Sequence, residues 1–397
     1  MTWQDIKEIP WSQEINCARL SERIIETGLR SDASDIHIEP GATAVLVRLR
    51  VDGLLQKLCE LSCSLHSGLV SRFKIISGLD IAEKRVPQDG HIEMELNGRK
   101  VHIRISILPT VRGEKVVLRL FSKEEKFFTL EALNFSALNL KIYRDICSGR
   151  KGLVLLSGPT GSGKTAALYA TLRELNDGSC NITTLEDPVE YCLQGINQTE
   201  VNKKTGLTFA GGLSAIVRQD PDVIMVGEIR DVETARISIQ SALTGHAVFS
   251  TIHAGSASGI VERLLEMGLE PYLLAAAMKG AVAQRLVRRV CPCCGRLVEV
   301  SNSVKEYLRV RKAVSVKLYK GDGCSYCCDT GYKGRIAIHE LLTFSEKICT
   351  MVRNKSTANM IESAAMSEGF IPMRQDGIMK VYRGLTTVEE LWRAGIF

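Results

Sequence analysis

No stretch of this 397-residue chain is apolar enough to cross a bilayer as a helix, which takes ~18 or more residues. Met1–Pro10 carries acids, a lysine and a tryptophan around no apolar core, so it does not read as a secretory signal. The protein is therefore expected to stay where it is made, in a cytoplasm. A large charge of one sign is also lacking: 51 Lys and Arg stand against 45 Asp and Glu, a net +6. That balance permits contact with anionic lipid or nucleic acid without demanding it. Aromatic residues are only 6% of the chain, and they do not cluster on the basic stretches Leu286–Arg289 and Arg309–Lys312. A nucleic-acid-binding surface interleaves the two, so nucleic acid is not an expected partner. Low-complexity segments and internal repeats are not evident.

What is present is an ordinary soluble composition, 45% hydrophobic and 24% charged. The length makes two domains the default and leaves room for a small third. Thirteen cysteines first suggest disulfides. The number is odd, the chain is long and no export signal is seen, so paired Cys-x-x-Cys spacings point to metal instead. Cys291 with Cys294 and Cys324 with Cys327 form two such pairs, each able to grip one side of a tetrahedral ion. The pattern resembles a structural Zn²⁺ site with a closed sulfur shell and no catalytic position. Cys293 and Cys328 could compete, and the set is chosen on spacing.

Residues 12–30 read as an amphipathic helix with Ser12 as N-cap and Ile15, Leu20, Ile24 and Ile25 on one side. From Ile36 to Arg119 the texture changes to short alternating strands, among them Val45–Val51 and Val101–Ile107, with a helical stretch at Leu65–Leu79. The expected domain there is α+β, over 31–121, after a short helical segment at 1–30. Residues 122–130 make a charged linker. Beyond it, 131–397 has an α/β rhythm. Leu153–Leu156, Ile182–Leu185, Val223–Val226 and Ala247–Thr251 read as apolar strands of a buried parallel sheet. The zinc subdomain falls at about 288–336 within that second domain.

Gly158-Pro159-Thr160-Gly161-Ser162-Gly163-Lys164-Thr165 fits G-x-x-x-x-G-K-[ST] in full, directly after one apolar strand and before the helical run Ala166–Leu175. Glycines let the backbone curl its N–H groups inward at phosphate oxygens, and the next helix adds its positive end. Lys164 is expected on the β- and γ-phosphates of ATP, and Thr165 on Mg²⁺. Hydrolysis needs more. Val223–Val226 ends in Gly227-Glu228, which makes Glu228 the candidate to polarise water. Glu186 and Glu190 close a second acidic cluster at another strand end, the place where open parallel sheets gather ligand chemistry. His246 and His253 flank the fourth strand and are candidate nucleotide sensors.

With these residues in hand, the chain resembles the type II secretion and type IV pilus assembly ATPases over nearly everything after residue 31. The motifs are dense: Ala33–Pro40, Leu79–Arg85 with Pro87–Gly90, Gly113–Val116, Glu186–Glu190, Arg218–Asp222, Gly227–Asp231, Thr244–His246, Gln284–Leu286 and Thr330–Arg335. The resemblance implies a homohexameric ring whose subunits join a PAS-like N-terminal domain to a RecA-like P-loop motor domain. It makes Glu186–Glu190 an aspartate box, Val223–Glu228 a Walker B strand in which Gly227 is normal, and Thr244–His253 a histidine box. It also implies that Arg104 and Arg119 of the first domain, with Arg218 of the motor domain, act on the γ-phosphate. Two departures stand out. Ser214 occupies a position usually held by arginine, and the histidine box continues His253-Ala-Gly-Ser-Ala257, without its usual acid. The family's long N-terminal domain is cut to about 30 residues, so docking through it is not expected. The four cysteines favour an assembly or secretion motor over a retraction one.

The implied role is peripheral, at the inner face of an inner membrane, driving a platform protein that adds pilin-like subunits to a fibre. The rival readings are a retraction or DNA-uptake motor, a RecA-like nucleic-acid motor, and a regulatory protein that binds ATP without hydrolysing it.

Overall fold

A computed structural model describes residues 16–96, 99–121, 129–149, 151–311 and 313–397. Ser12 and most of the linker, 122–128, lie outside the described residues. Two compact units emerge. The first takes the described residues of Met1–Glu124 together with Cys291–Gly295 and Gly321–Gly334. The second takes Glu125–Val290, Arg296–Lys320 and Arg335–Phe397. The cysteine loops, expected as part of the motor domain, thus group with the first unit.

In the first unit, helix α1 (Cys17–Arg30) starts at Asn16, whose side chain accepts the Ala18 N–H at 2.9 Å. Its apolar stripe Leu20, Ile24 and Ile25 is fully buried. Helix α2 (Cys63–Ile76) packs against it. Strands β1 (Ala33–Pro40), β2 (Val45–Val51), β3 (Leu54–Leu61), β4 (Gln88–Leu96), β5 (Arg99–Thr110) and β6 (Gly113–Phe121) form one sheet in the order β3-β2-β1-β6-β5-β4. The first and last strands are neighbours at its centre, which suits the PAS-like expectation. The period-2 alternation places Ile36, Ile38, Val47, Leu49, Ile103, Ile105 and Leu118 in the core. The opposite face of the same strands carries Asp35, Arg50, Arg104 and Arg119.

In the second unit, α3 (Ala137–Ser148) precedes β7 (Gly152–Ser157) and α4 (Lys164–Leu175). Then come β8 (Ile182–Glu186), β9 (Asn197–Glu200), α5 (Phe209–Ile216), β10 (Val223–Val226), α6 (Val232–Leu243), β11 (Ala247–Ile252), α7 (Ala257–Glu266) and α8 (Pro271–Ala277). The chain continues through β12 (Met278–Val290), β13 (Gly295–Glu299), α9 (Asn302–Tyr307), β14 (Lys317–Gly321) and β15 (Tyr332–Thr343). It closes with α10 (Glu346–Arg353), α11 (Ala358–Met366), α12 (Met373–Tyr382) and α13 (Val388–Arg393).

The main sheet of this unit runs β15-β12-β7-β11-β10-β8-β9, with β12, β7, β11, β10, β8 and β9 parallel to one another. Each of the four apolar strands read from the sequence is present, and each is buried on both faces. β13 and β14 form a separate ribbon. Parallel pairing brings the carboxyl ends of β7, β8, β10 and β11 to one edge, where the phosphate loop, Glu190, Glu228 and His253 follow them. No helix among the described residues is long and apolar enough to cross a membrane.

Candidate functional site: a phosphate loop and its acids

The phosphate loop leaves β7 at the middle of the sheet. Its glycines are required by geometry. Gly161 and Gly163 hold φ of 76° and 86°. A Cβ on Gly158 would fall 2.4 Å from the Gln284 carbonyl oxygen and 2.5 Å from Ser162 Oγ. Gly163 is also the N-cap of α4, and no side chain caps that helix, so its first turn presents backbone donors to an anion. Lys164 Nζ donates to Gly158 O at 2.7 Å and to Pro159 O at 3.1 Å, which holds the ammonium inside the loop. Burial lowers its pKa; the Glu228 carboxylate opposes that shift and Arg285 adds to it.

Acids line the same edge. Thr165 Oγ1 donates toward Glu190 Oε1 at 3.4 Å. Glu228 is held by the Arg230 guanidinium, and its other oxygen lies 3.8 Å from His253 Nε2. Arg230 also stands 3.8 Å from Asp187, so one arginine spans both acidic clusters. Glu186, expected to bind the nucleotide, is held by neighbouring side chains. It is 3% exposed. Its carboxylate accepts from the Tyr169 hydroxyl, from Thr184 at 2.6 Å and from Gln198 at 3.0 Å. Tyr169 in turn accepts the Glu190 N–H at 3.3 Å. Glu186 is therefore linked through Tyr169 to the loop that carries Glu190.

Gly227 stands where an acid is common in other nucleotide-binding strands. A Cβ there would lie 3.3 Å from Leu185 O and 3.4 Å from the Glu186 Cα. The close approach of β8 explains the glycine.

Two expected residues are not at this edge. His246 precedes β11, and its carbonyl accepts the Gly152 N–H at the start of β7. The 6 residues of β11 separate it from His253, about 20 Å at about 3.3 Å per residue. Arg218 follows α5 beside Gln219 and Asp220, whose carbonyls accept from Asn181 at the start of β8. Both residues sit at the amino edge of the sheet, because a parallel strand carries its two flanks to opposite edges.

In the first unit, Arg104 and Arg119 are direct cross-strand partners on β5 and β6. Arg119 also faces Asp35 of β1, and its Nε donates to Asp35 Oδ1 at 3.1 Å. The two arginines are brought together on one face of that unit's sheet.

The sulfurs of Cys291, Cys294, Cys324 and Cys327 all lie within 4.8 Å of one another. Cys291–Cys324 and Cys294–Cys327 are 3.8 Å apart, and Cys324–Cys327 is 3.7 Å. A tetrahedral ion with thiolates about 2.3 Å away holds them about 3.8 Å apart, so this is a metal-binding geometry and not a disulfide one. The Cys324 and Gly331 N–H groups each donate to Cys327 Sγ at 3.2 Å, as a thiolate ligand needs. Cys293 is exposed, and Cys328 packs against the core of the first unit. The four cysteines chosen on spacing are the four whose sulfurs converge.

Sequence reasoning assigned no role to Tyr169, Arg230 or His339, and quoted Gln284 only within a motif. Arg230 lay two residues from Glu228 and was legible. The others meet the site only through the fold.

This arrangement defines a P-loop ATPase of the RecA-like kind. A family model described as Type II/IV secretion system protein matches residues 12–393, and the chain belongs to that family. It is 47% identical over 375 residues to the type II secretion system protein E of Pseudomonas aeruginosa, covering 94% of this chain and 74% of that one. It is 43% identical over 375 residues to the type II secretion system ATPase E of Vibrio cholerae, covering 94% and 74%. It is also 43% identical over 390 residues to the type IV pilus assembly ATPase PilB of Thermus thermophilus, covering 97% and 44%. Among solved structures, the Legionella pneumophila ATPase DotB aligns with a TM-score of 0.70 at 22% identity over 95% of this chain and 96% of that one. The pilus retraction motor PilT aligns at 0.62 and 23% identity, over 94% and 96%. These two show the shared fold. The protein is an ATPase of the secretion and pilus-assembly class.

Proposed function

We propose that the chain is a Mg²⁺-dependent ATPase working as a homohexamer at the cytoplasmic face of an inner membrane. It would drive a platform protein that adds pilin-like subunits in type II secretion or pilus assembly. The observation that carries this reading is the shared edge of Lys164, Thr165, Glu190 and Glu228, with Thr165 3.4 Å from Glu190. Relatives named type II secretion system protein E favour the secretion pathway.

Lys164 and the backbone donors of Gly158–Thr165 bind the β- and γ-phosphates. Glu228, oriented by Arg230 and near His253, holds the attacking water and takes its proton. Thr165, with Glu190 behind it, would hold Mg²⁺. When bound, Mg²⁺ supplies positive charge over the β- and γ-oxygens. Arg104 and Arg119 act from the first unit on the γ-phosphate. Arg218 and His246, at the other edge of the sheet, meet nucleotide only when a neighbouring subunit presents them. The thiolates of Cys291, Cys294, Cys324 and Cys327 fit Zn²⁺, which crosslinks the two loops and takes no part in hydrolysis.

Mg²⁺-dependent phosphate release, measured against oligomer size with and without the platform protein's cytoplasmic domain, tests the reading. Release should rise with ring formation and rise again with the platform domain. Glu228→Gln should keep ATP binding and lose turnover. A ring that binds ATP but releases no phosphate overturns the motor; stimulation by DNA alone overturns the partner.

A further inference from the structure

A buried polar line lies beneath the phosphate loop. Gln284 of β12 is 1% exposed. Its amide Nε2 donates to Ser162 O at 2.7 Å. Its Oε1 lies 3.1 Å from Nε2 of His339 on β15. With the Gln284 amide nitrogen committed to a carbonyl, Oε1 has to accept, so His339 Nε2 carries the proton. His339 is fully buried. Its backbone N–H donates to Asp376 at 2.9 Å, and Asp376 pairs with Lys380 at 2.7 Å. The Phe135 ring stacks on the imidazole with centroids 3.8 Å apart and planes 18° apart. Phe135 comes shortly after residues 122–130, the expected interdomain linker.

The loop is shaped around Gln284. The Cβ excluded at Gly158 would strike the Gln284 carbonyl, and one at Gly163 would lie 2.9 Å from Gln284 Nε2. Both ends of the turn that aims N–H groups at phosphate therefore close on one residue, Gln284, one end on its backbone carbonyl and the other on its side-chain amide. Removing the Gln284 amide leaves Ser162 O without its buried donor, and the turn loses its floor. Removing the His339 N–H frees the amide to rotate, and its oxygen then faces the Ser162 carbonyl oxygen.

We propose that Gln284 and His339 are positioning residues for the phosphate loop, and that Phe135 transmits the setting of the segment leading into the motor unit to that loop through His339. The proposal rests on the reading that Gly158–Thr165 binds ATP. The three side chains act in series: ring on ring, ring N–H to amide oxygen, amide N–H to loop carbonyl. Disturbing any one reaches the nucleotide through the next.

The test uses the full chain with Mg-ATP turnover, ADP titration and thermal melting. Gln284→Met keeps length without a donor. His339→Leu removes the ring N–H, and His339→Gln restores a donor. Gln284→Met and His339→Leu should each raise the ATP KM and the ADP Kd roughly tenfold, the scale of one buried hydrogen bond with its partner left unpaired. His339→Gln should stay close to wild type, and the double variant should be no worse than Gln284→Met alone. Phe135→Leu should give a smaller rise that vanishes in the His339→Leu background. Unchanged KM and Kd in Gln284→Met, with activity following only the folded fraction, overturn the positioning role. So does a His339→Gln as weak as His339→Leu. A Phe135→Leu rise that persists in the His339→Leu background overturns the transmission. If His339→Leu does not fold, Gln284→Met against His339→Gln still decides the positioning role. Wild type that binds no ATP would overturn the ATP-site reading instead.

Discussion

Arg119 Nε donates to Asp35 Oδ1 across the central strand pair of the first unit, at 3.1 Å. The other Asp35 oxygen lies 3.6 Å from Arg50. The Arg119 side chain is 60% exposed, so the pair is screened and weak. On the proposed reading, Asp35 would compete with a phosphate for Arg119 without locking it. Asp35→Asn should raise ATP turnover by at most about fivefold, the worth of such a pair. Arg119→Gln should lower it on the order of a hundredfold or more, as loss of a phosphate-directed arginine does. Steady-state phosphate release on the two variants reads both outcomes.

The Gly227 position predicts an unhelpful substitution. Gly227→Asp would complete the acidic pair seen in other nucleotide-binding strands, yet its Cβ must push against the Leu185 carbonyl at 3.3 Å and the Glu186 Cα at 3.4 Å. We expect a loss on the order of 1–2 kcal/mol from this crowding and no gain in turnover. Urea midpoints and phosphate release on the same preparation check it.

The sulfur geometry predicts metal stoichiometry. Elemental analysis should find about one Zn²⁺ per chain. Cys291→Ser or Cys327→Ser should abolish it, while Cys293→Ser should leave it unchanged. Chelation should lower the melting temperature of the first unit, which holds the cysteine loops, and should leave ADP binding intact.

Glu390 predicts an acid limit on stability. Burial would raise its pKa, but hydrogen bonds from the Arg393 and Arg288 guanidiniums and the Arg288 N–H outweigh that and hold it down at about 2, from an ordinary 4.5. A depressed carboxylate contributes stability that is complete above the unfolded value and lost as pH falls through the folded one. The contribution, on the order of 3 kcal/mol, should therefore fade between about pH 4.5 and 2. Urea midpoints between pH 5 and 3 should fall steeply in wild type. In Glu390→Gln they should start lower and fall less.

Local chemistry made much of this protein legible before any fold was known. Gly158–Thr165 carries its own geometry, since three glycines, a lysine and a threonine in that order suit little else. The cysteine pairs do the same for a tetrahedral ion. β7, β8, β10 and β11 were legible because a strand covered on both faces carries a short apolar run with few charges. β12 was not. Gly280, Ala281, Ala283, Arg285, Arg288 and Arg289 favour no strand locally, and it is extended because β7 pairs with it at the register of Ala283 and Ser157. β9 is four polar and acidic residues that pair with β8 at the sheet edge, which no hydrophobic pattern reveals.

The sequence by itself determined which groups could do chemistry: the loop for phosphate, Thr165 for metal, Glu228 for water with Glu190 in a second acidic cluster, and four thiols for an ion. Tertiary structure alone decided which of them share an edge. Strand direction sent His253 to the carboxyl edge beside Glu228 and His246 to the far side. Close approach of β8 required glycine at 227. Burial turned Glu186 into an acceptor for Tyr169. Gln284 and His339 stand 55 positions apart, and only neighbouring strands bring them into one line beneath Ser162. Spacing along a chain reports local geometry, whereas contacts between distant strands depend on how the sheet is ordered.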